Sequence, residues 1–161
     1  MSYFIFASSK FQGDWVEVAN YPNVTAPLVG SGYGPDLRCV RASYDLPTDP
    51  MEQLVVTNTG LDEHGTKMTI HGRLTATTID LEGVDLEVEP FLVLDTDYTS
   101  FASVYTCHHY VSIGVVRRQF GWILTREGVE LDQETRTRAL AAFSQQELSS
   151  SRLQWTDNTG C

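Results

Sequence analysis

KMTIHGRL, Lys67–Leu74, alternates strictly: Met68, Ile70, Gly72 and Leu74 take every second position, with Lys67, Thr69, His71 and Arg73 between them. Successive side chains on a β-strand point to opposite faces, so this stretch has one dry and one wet face, as antiparallel strands do. Val84, Leu86 and Val88 repeat the pattern against Asp85, Glu87 and Glu89. Turn chemistry punctuates the runs at Pro47 to Pro50, His64-Gly65 and Glu82-Gly83. The spacing predicts strands over 13–21, 37–46, 53–60, 66–76, 83–89, 91–96, 101–110 and 117–125. Eight strands with short connections can close into an up-and-down barrel, which removes exposed edges and leaves room inside for one small ligand.

Outward from these strands the pattern changes twice. The connection from Pro22 to Asp36, carrying Pro22, Pro27, Pro35 and glycines 30, 32 and 34, is too long for a hairpin turn. Within it Asn23-Val24-Thr25 is either a glycosylation sequon or an accidental tripeptide. After Arg126 a helix is expected near 132–147: Asp132 suits an N-cap, Glu134 sits in the first turn, and Ala139, Leu140, Ala142 and Phe143 make an apolar stripe. That helix must pack outside the barrel. Ser150 to Thr156 reads as a short ninth strand.

The chain has 161 residues, enough for one domain over 1–161 with a sizeable core. Hydrophobic residues are 42% and charged residues 20%, which is inconsistent with a disordered chain. No apolar run approaches the ~20 residues of a membrane-spanning helix. A formal charge of -10 argues against nucleic acid as a partner, because phosphate binding requires clustered Lys and Arg. The start, MSYFIFASSK, lacks the basic leader and long apolar core of a signal peptide. Either the sequence is a mature or recombinant form of a secreted protein, or the protein is intracellular; the cysteines favour the first.

Three signatures occur in fixed order: Gly13-Asp14-Trp15 in FQGDWVEVANYP, Thr96-Asp97-Tyr98 in FLVLDTDYTSFASVYTC, and Arg126 closing FGWILTR. Together with the β patterning between them, they resemble the lipocalin family from Phe6 to Cys161. WVEVANYPN is similar to the first strand of insect bilin-binding proteins. RCVRASY followed by TNTGLDEHGTKMTIHGRL resembles the second to fourth strands of crustacyanins, and the apolipoprotein D-like branch shares the pattern. The resemblance implies an all-β, eight-stranded antiparallel up-and-down barrel with one C-terminal helix outside it. The 22–36 connection then resembles the lid at the cup's mouth. It also implies that Trp15 plugs the closed end with Arg126 laid across its indole, and that Asp97 and Tyr98 organise the turn there.

Bridging between Cys39, early in the second strand, and Cys161 in the tail follows from the same resemblance. Such a bridge closes a loop of about 120 residues, worth roughly 3–5 kcal/mol in the chain-entropy account. Cys107 matches a cysteine whose usual partner precedes the first strand. The sequence has no cysteine there, so Cys107 stands outside the predicted bridge.

With the alternation phased on Trp15 and Arg126, the ligand-binding candidates are Tyr44, Asn58, Met68, Ile70, Leu86, Val88, Phe91, Val104, Thr106, His108, Arg118, Phe120 and Trp122. Simple core packing is the alternative for each apolar member. Asn58, His108 and Arg118 need polar partners or a solvated rim, so they mark the mouth. The implied ligand is an elongated hydrophobic molecule: a carotenoid such as the astaxanthin held by crustacyanins, a bilin such as biliverdin, or a fatty acid, steroid or other lipid. A bilin carries two propionates and calls for cations. Arg118 is one inward cation in an acidic protein, which leans toward a neutral carotenoid. A molecule that long would protrude, so two subunits, alike or different, could share it.

Metal and catalysis read weakly. His108 and His109 are adjacent on a strand and face opposite ways, so they cannot hold one ion from a single sheet face. No G-x-S-x-G motif or acid pair appears, and Cys107 faces outward if His108 faces in. The expectation is a non-enzymatic carrier. An interaction protein whose cup is vestigial is the reading from a different class.

Overall fold

The computed structural model describes residues 8–21, 37–45, 54–75, 78–81, 92–110 and 116–161. A short helix α1 (Ser8–Phe11) leads into strands β1 (Gly13–Asn20), β2 (Arg38–Asp45), β3 (Leu54–Leu61), β4 (Lys67–Thr75) and β5 (Thr78–Leu81). They are followed by β6 (Leu92–Thr96), β7 (Phe101–Tyr110) and β8 (Val116–Arg126). Helix α2 (Gln133–Ser144), a 3-10 turn (Ser150–Arg152) and β9 (Gln154–Trp155) complete the chain.

All neighbouring strands pair antiparallel, in the order β5-β4-β3-β2-β1-β8-β7-β6, with β9 also on β1. The first strand is thus hydrogen-bonded to the eighth, and the path runs up and down around from that seam. Trp15, Tyr44, Val56, Ala102, Val104 and Leu124, from five different strands, meet in one apolar cluster, so the sheet curls until β3 and β7 share a core. The ends of the path, β5 and β6, are neighbours in sequence, and the segment between them lies outside the described residues.

A second apolar cluster lies on the outer face. There Phe101, Tyr105, Cys107 and Ile123 meet Ala139 and Phe143 of α2. Asp132 caps α2 by accepting the Thr135 N–H at 2.7 Å, and Ser103 donates to the Ala139 carbonyl at 2.9 Å. Phe143 is fully buried, a contribution of about 1.5–3 kcal/mol. It packs over Gly121, where an added Cβ would come within 2.9 Å of the Phe143 ring. Arg138 grips Asp95 through two hydrogen bonds of 2.6 and 2.7 Å, tying α2 to β6.

Most expected strands agree with the structure to within a residue or two. Strand β5 over 78–81 is not among them, and the expected strand over 83–89 lies outside the described residues, as do the 22–36 lid and its sequon. The expected ninth strand over 150–156 is corrected to two residues behind a 3-10 turn. Its serines bond locally, Ser149 Oγ with Ser151 Oγ at 2.9 Å, and the Arg152 and Leu153 N–H groups turn back to the Ser149 and Ser150 carbonyls.

Candidate functional site

The closed end is built around Trp15 and Arg126, register partners on β1 and β8. Trp15 is fully buried, its indole N–H donates to the Phe11 carbonyl at 2.8 Å, and Phe11 stacks on it at 4.8 Å. The Arg126 guanidinium lies 3.8 Å from the indole ring centre. It donates to the carbonyls of Lys10 (2.9 Å), Gln12 (3.0 Å), Asp14 (3.3 Å) and Tyr98 (3.1 Å). Gly13 has φ +99°, so any side chain there would be strained, although a Cβ added at this position would meet Arg126 Nη1 only at an ordinary contact distance of 3.4 Å. Burial lowers the Arg126 pKa, and the carboxylates of Asp14 and Asp97 oppose that shift.

Asp97 holds the turn between β6 and β7. Its carboxylate accepts the N–H groups of Thr99, Ser100 and Phe101 and the Ser100 hydroxyl. Partial burial opposes its ionisation, but these donors prevail and hold its pKa at about 2. Tyr98 takes φ +66°, its N–H donating to Thr96 Oγ1, and its ring packs against the inner cluster.

Above this floor the inner wall follows from strand register, because directly opposed residues share a face. Val104 pairs with Trp122, Thr106 with Phe120, and His108 with Arg118 along β7 and β8. Across the cup Asn58 pairs with Ala42 and Ile70, and Gly60 with Met68. Phe120 and Trp122 stack with centroids 6.0 Å apart and an interplanar angle of 11°. Thr106 is buried, Asn58 is half-buried and Met68 is exposed. Tyr44 belongs to the floor, edge-on to Phe11 at 4.9 Å. For Ile70, His108 and Arg118 register gives position only. Leu86, Val88 and Phe91 lie outside the described residues. Among the described residues no cluster of His, Cys, Asp and Glu could hold a metal, and no helix is long and apolar enough to cross a membrane.

The mouth half of the wall has an element that the sequence list lacks. Strand β1 pairs with β2 only over Gly13–Val16, and farther on Ala19 and Asn20 pair with Trp155 and Gln154. Strand β2 bulges between Arg38 and Arg41, with Cys39 at φ +54°, and the Cys39 N–H donates to the Asp157 carbonyl. The tail fills the gap, and the Cys39–Cys161 disulfide fastens it there. At this junction Glu17, only 7% exposed, accepts from the Thr156 hydroxyl at 2.7 Å and the Asn20 amide at 2.5 Å. Burial raises the Glu17 pKa against the pull of those two donors. Parity with Trp15 was the available signal for Glu17. Thr156 lies 139 residues away and gave none.

Known proteins share this architecture. The family model described as a lipocalin-like domain matches residues 7–158. Apolipoprotein D of Macaca fascicularis is 30% identical over 129 residues, which are 75% of this chain and 61% of that protein. The chain therefore spans less than two thirds of that relative's length. Lobster apocrustacyanin A1 superposes with a TM-score of 0.71 at 23% identity, covering 94% of this chain and 79% of the lobster chain. Insecticyanin of the tobacco hornworm Manduca sexta gives a TM-score of 0.71 at 20% identity, covering 98% and 84%. At these identities the two structures establish a common fold. With a family match over nearly its whole length and the up-and-down sheet beneath it, this chain belongs to the lipocalin family.

Proposed function

We propose that the protein is a non-enzymatic carrier of one elongated hydrophobic molecule, a carotenoid of the astaxanthin type, and that it serves coloration outside the cell. The observation that carries this reading is the parallel pair of Phe120 and Trp122 on the inner wall, above a floor closed by Trp15 and Arg126. Aromatic faces give a conjugated ligand large contact area, with about 0.5–1.5 kcal/mol from each offset contact. In this reading Val104, Met68 and Ile70 line the cup, and Asn58, Thr106, His108 and Arg118 orient the ligand's polar end near the mouth. The net charge of -10 favours a neutral ligand over a dianionic bilin. A disulfide that fastens the tail suits an oxidising compartment.

The test is colour, followed by titration. Protein from its native source should be pigmented, and its organic extract should turn orange-red. Pigment that stays blue-green on extraction would replace the carotenoid by a bilin. A colourless protein with no lipid by mass spectrometry would overturn the carrier reading in favour of an interaction protein. Carotenoid and biliverdin are then titrated in parallel into the parent and Phe120→Ala. Weaker carotenoid binding with a shifted absorption band is expected in the variant. Unchanged affinity and spectrum would place the ligand elsewhere.

A further inference from the structure

Glu17 stands opposite Leu124, and Asn20 opposite Trp122, and both partners pack in the inner apolar cluster. Opposed residues share a face, so Glu17 and Asn20 belong to the inner wall. The register shift between Glu17 and Ala19 makes this possible. One extra residue turns Ala19 out into the helix-side cluster while its polar neighbours stay inside.

Thr156 joins them through the gap left by β2. Its hydroxyl donates to Glu17 Oε1 at 2.7 Å, and the Asn20 amide reaches the same oxygen at 2.5 Å and Thr156 Oγ1 at 3.4 Å. Both donors converge on Oε1, so among the described residues Oε2 has no protein donor. Nor is Oε2 fully enclosed, and Glu17 keeps 7% of its surface accessible. Among the described residues no cation forms an ion pair with this carboxyl. An apolar wall that holds an acid with one oxygen open and no counter-charge is costly for stability alone.

The geometry points to a second polar station in the cup: Glu17, Asn20 and Thr156, beside Trp122, receive the hydroxyl or carbonyl end of a neutral ligand and select against carboxylates. This rests on the carrier reading and sharpens its ligand class. An ionised Glu17 accepts a ligand hydroxyl, and a protonated one donates to a carbonyl. A ligand carboxylate entering the same wall meets a like charge that water screens poorly.

All-trans-retinol and all-trans-retinoic acid test this, because they share one polyene and differ in a hydroxyl against a carboxylate. Both are titrated at neutral pH into the full chain, Glu17→Gln and Asn20→Lys, following tryptophan quenching, with circular dichroism as the check on folding. The parent should bind retinol about tenfold or more tighter than retinoic acid. Each variant should tighten retinoic acid about tenfold and hold retinol more weakly than the parent does, so the retinol-to-acid ratio falls about tenfold or more. If Glu17→Gln does not fold, Asn20→Lys gives the same readout by placing a cation beside the carboxyl. A retinol-to-acid ratio unchanged in the folded variants overturns the polar station and leaves the carrier reading standing. Failure of the parent to bind either probe overturns both.

Discussion

The Arg126 guanidinium lies 3.8 Å from the centre of the Trp15 ring, and the two residues are direct partners across β8 and β1. The same group also collects four backbone carbonyls from α1, β1 and the 97–100 turn. One side chain therefore fastens three separate pieces of chain at the closed end.

Arg126→Ala should lower unfolding stability by about 2–4 kcal/mol in urea titrations, since it removes a cation–π stack and charge-assisted hydrogen bonds together. Affinity for a cup ligand should be spared. Arg126→Lys should recover little, because an ammonium cannot match the planar fork. Lost binding at unchanged stability would contradict the floor role.

Gly121→Ala should cost about 1–3 kcal/mol, because its Cβ would fall 2.9 Å from Phe143 Cε1 and 3.3 Å from the Tyr21 ring. A smaller neighbour relieves that clash, so Gly121→Ala with Phe143→Leu should be less destabilised than the sum of the single changes. A double-mutant cycle showing simple additivity would refute the contact.

Glu17 and Asp97 should give opposite pH signatures. Burial raises the Glu17 pKa above 4.5, so the folded state holds its proton at pH values where the unfolded state has lost it. Stability should fall as pH rises from 4.5 through the raised folded value, and Glu17→Gln should abolish that slope. Asp97 is held at about 2, below its usual 3.8. Its contribution should be present above 3.8 and be lost as pH falls through about 2. Melting curves of Asp97→Asn should lie about 2–4 °C below the parent at neutral pH and converge with it in strong acid.

Cys161→Ser should lower stability by about 3–5 kcal/mol, as the bridge spans 122 residues. A reducing agent should do the same to the parent and nothing further to the variant. Equal melting temperatures of the parent with and without reductant would refute this.

Much of the frame is legible where residues repeat a local rule. The alternation through Met68 and Ile70 marks β4, and Asp132 before an apolar stripe marks the start of α2. What escapes reading depends on the tail. Counting by twos from Trp15 puts Ala19 inside, yet the bulge puts it outside under α2. That bulge sits where the tail pairs with β1, a contact between residues more than 130 apart. No local pattern encodes it. The inward phase along β7 and β8 needed only unbroken alternation from Arg126, and both strands run without a shift.

The Cys39–Cys161 bridge also sets how the molecule answers to pulling. Held at Met1 and Cys161, the chain carries tension only through residues 1–39, because the covalent link short-circuits everything between them. Its extension stops near roughly 130 Å, against roughly 550 Å once the link is reduced. Among the described residues, seven of the eight cup strands lie wholly or almost wholly inside the shielded loop, and β1 is drawn out with α1 before it. Under force the oxidised cup loses one stave and keeps the rest.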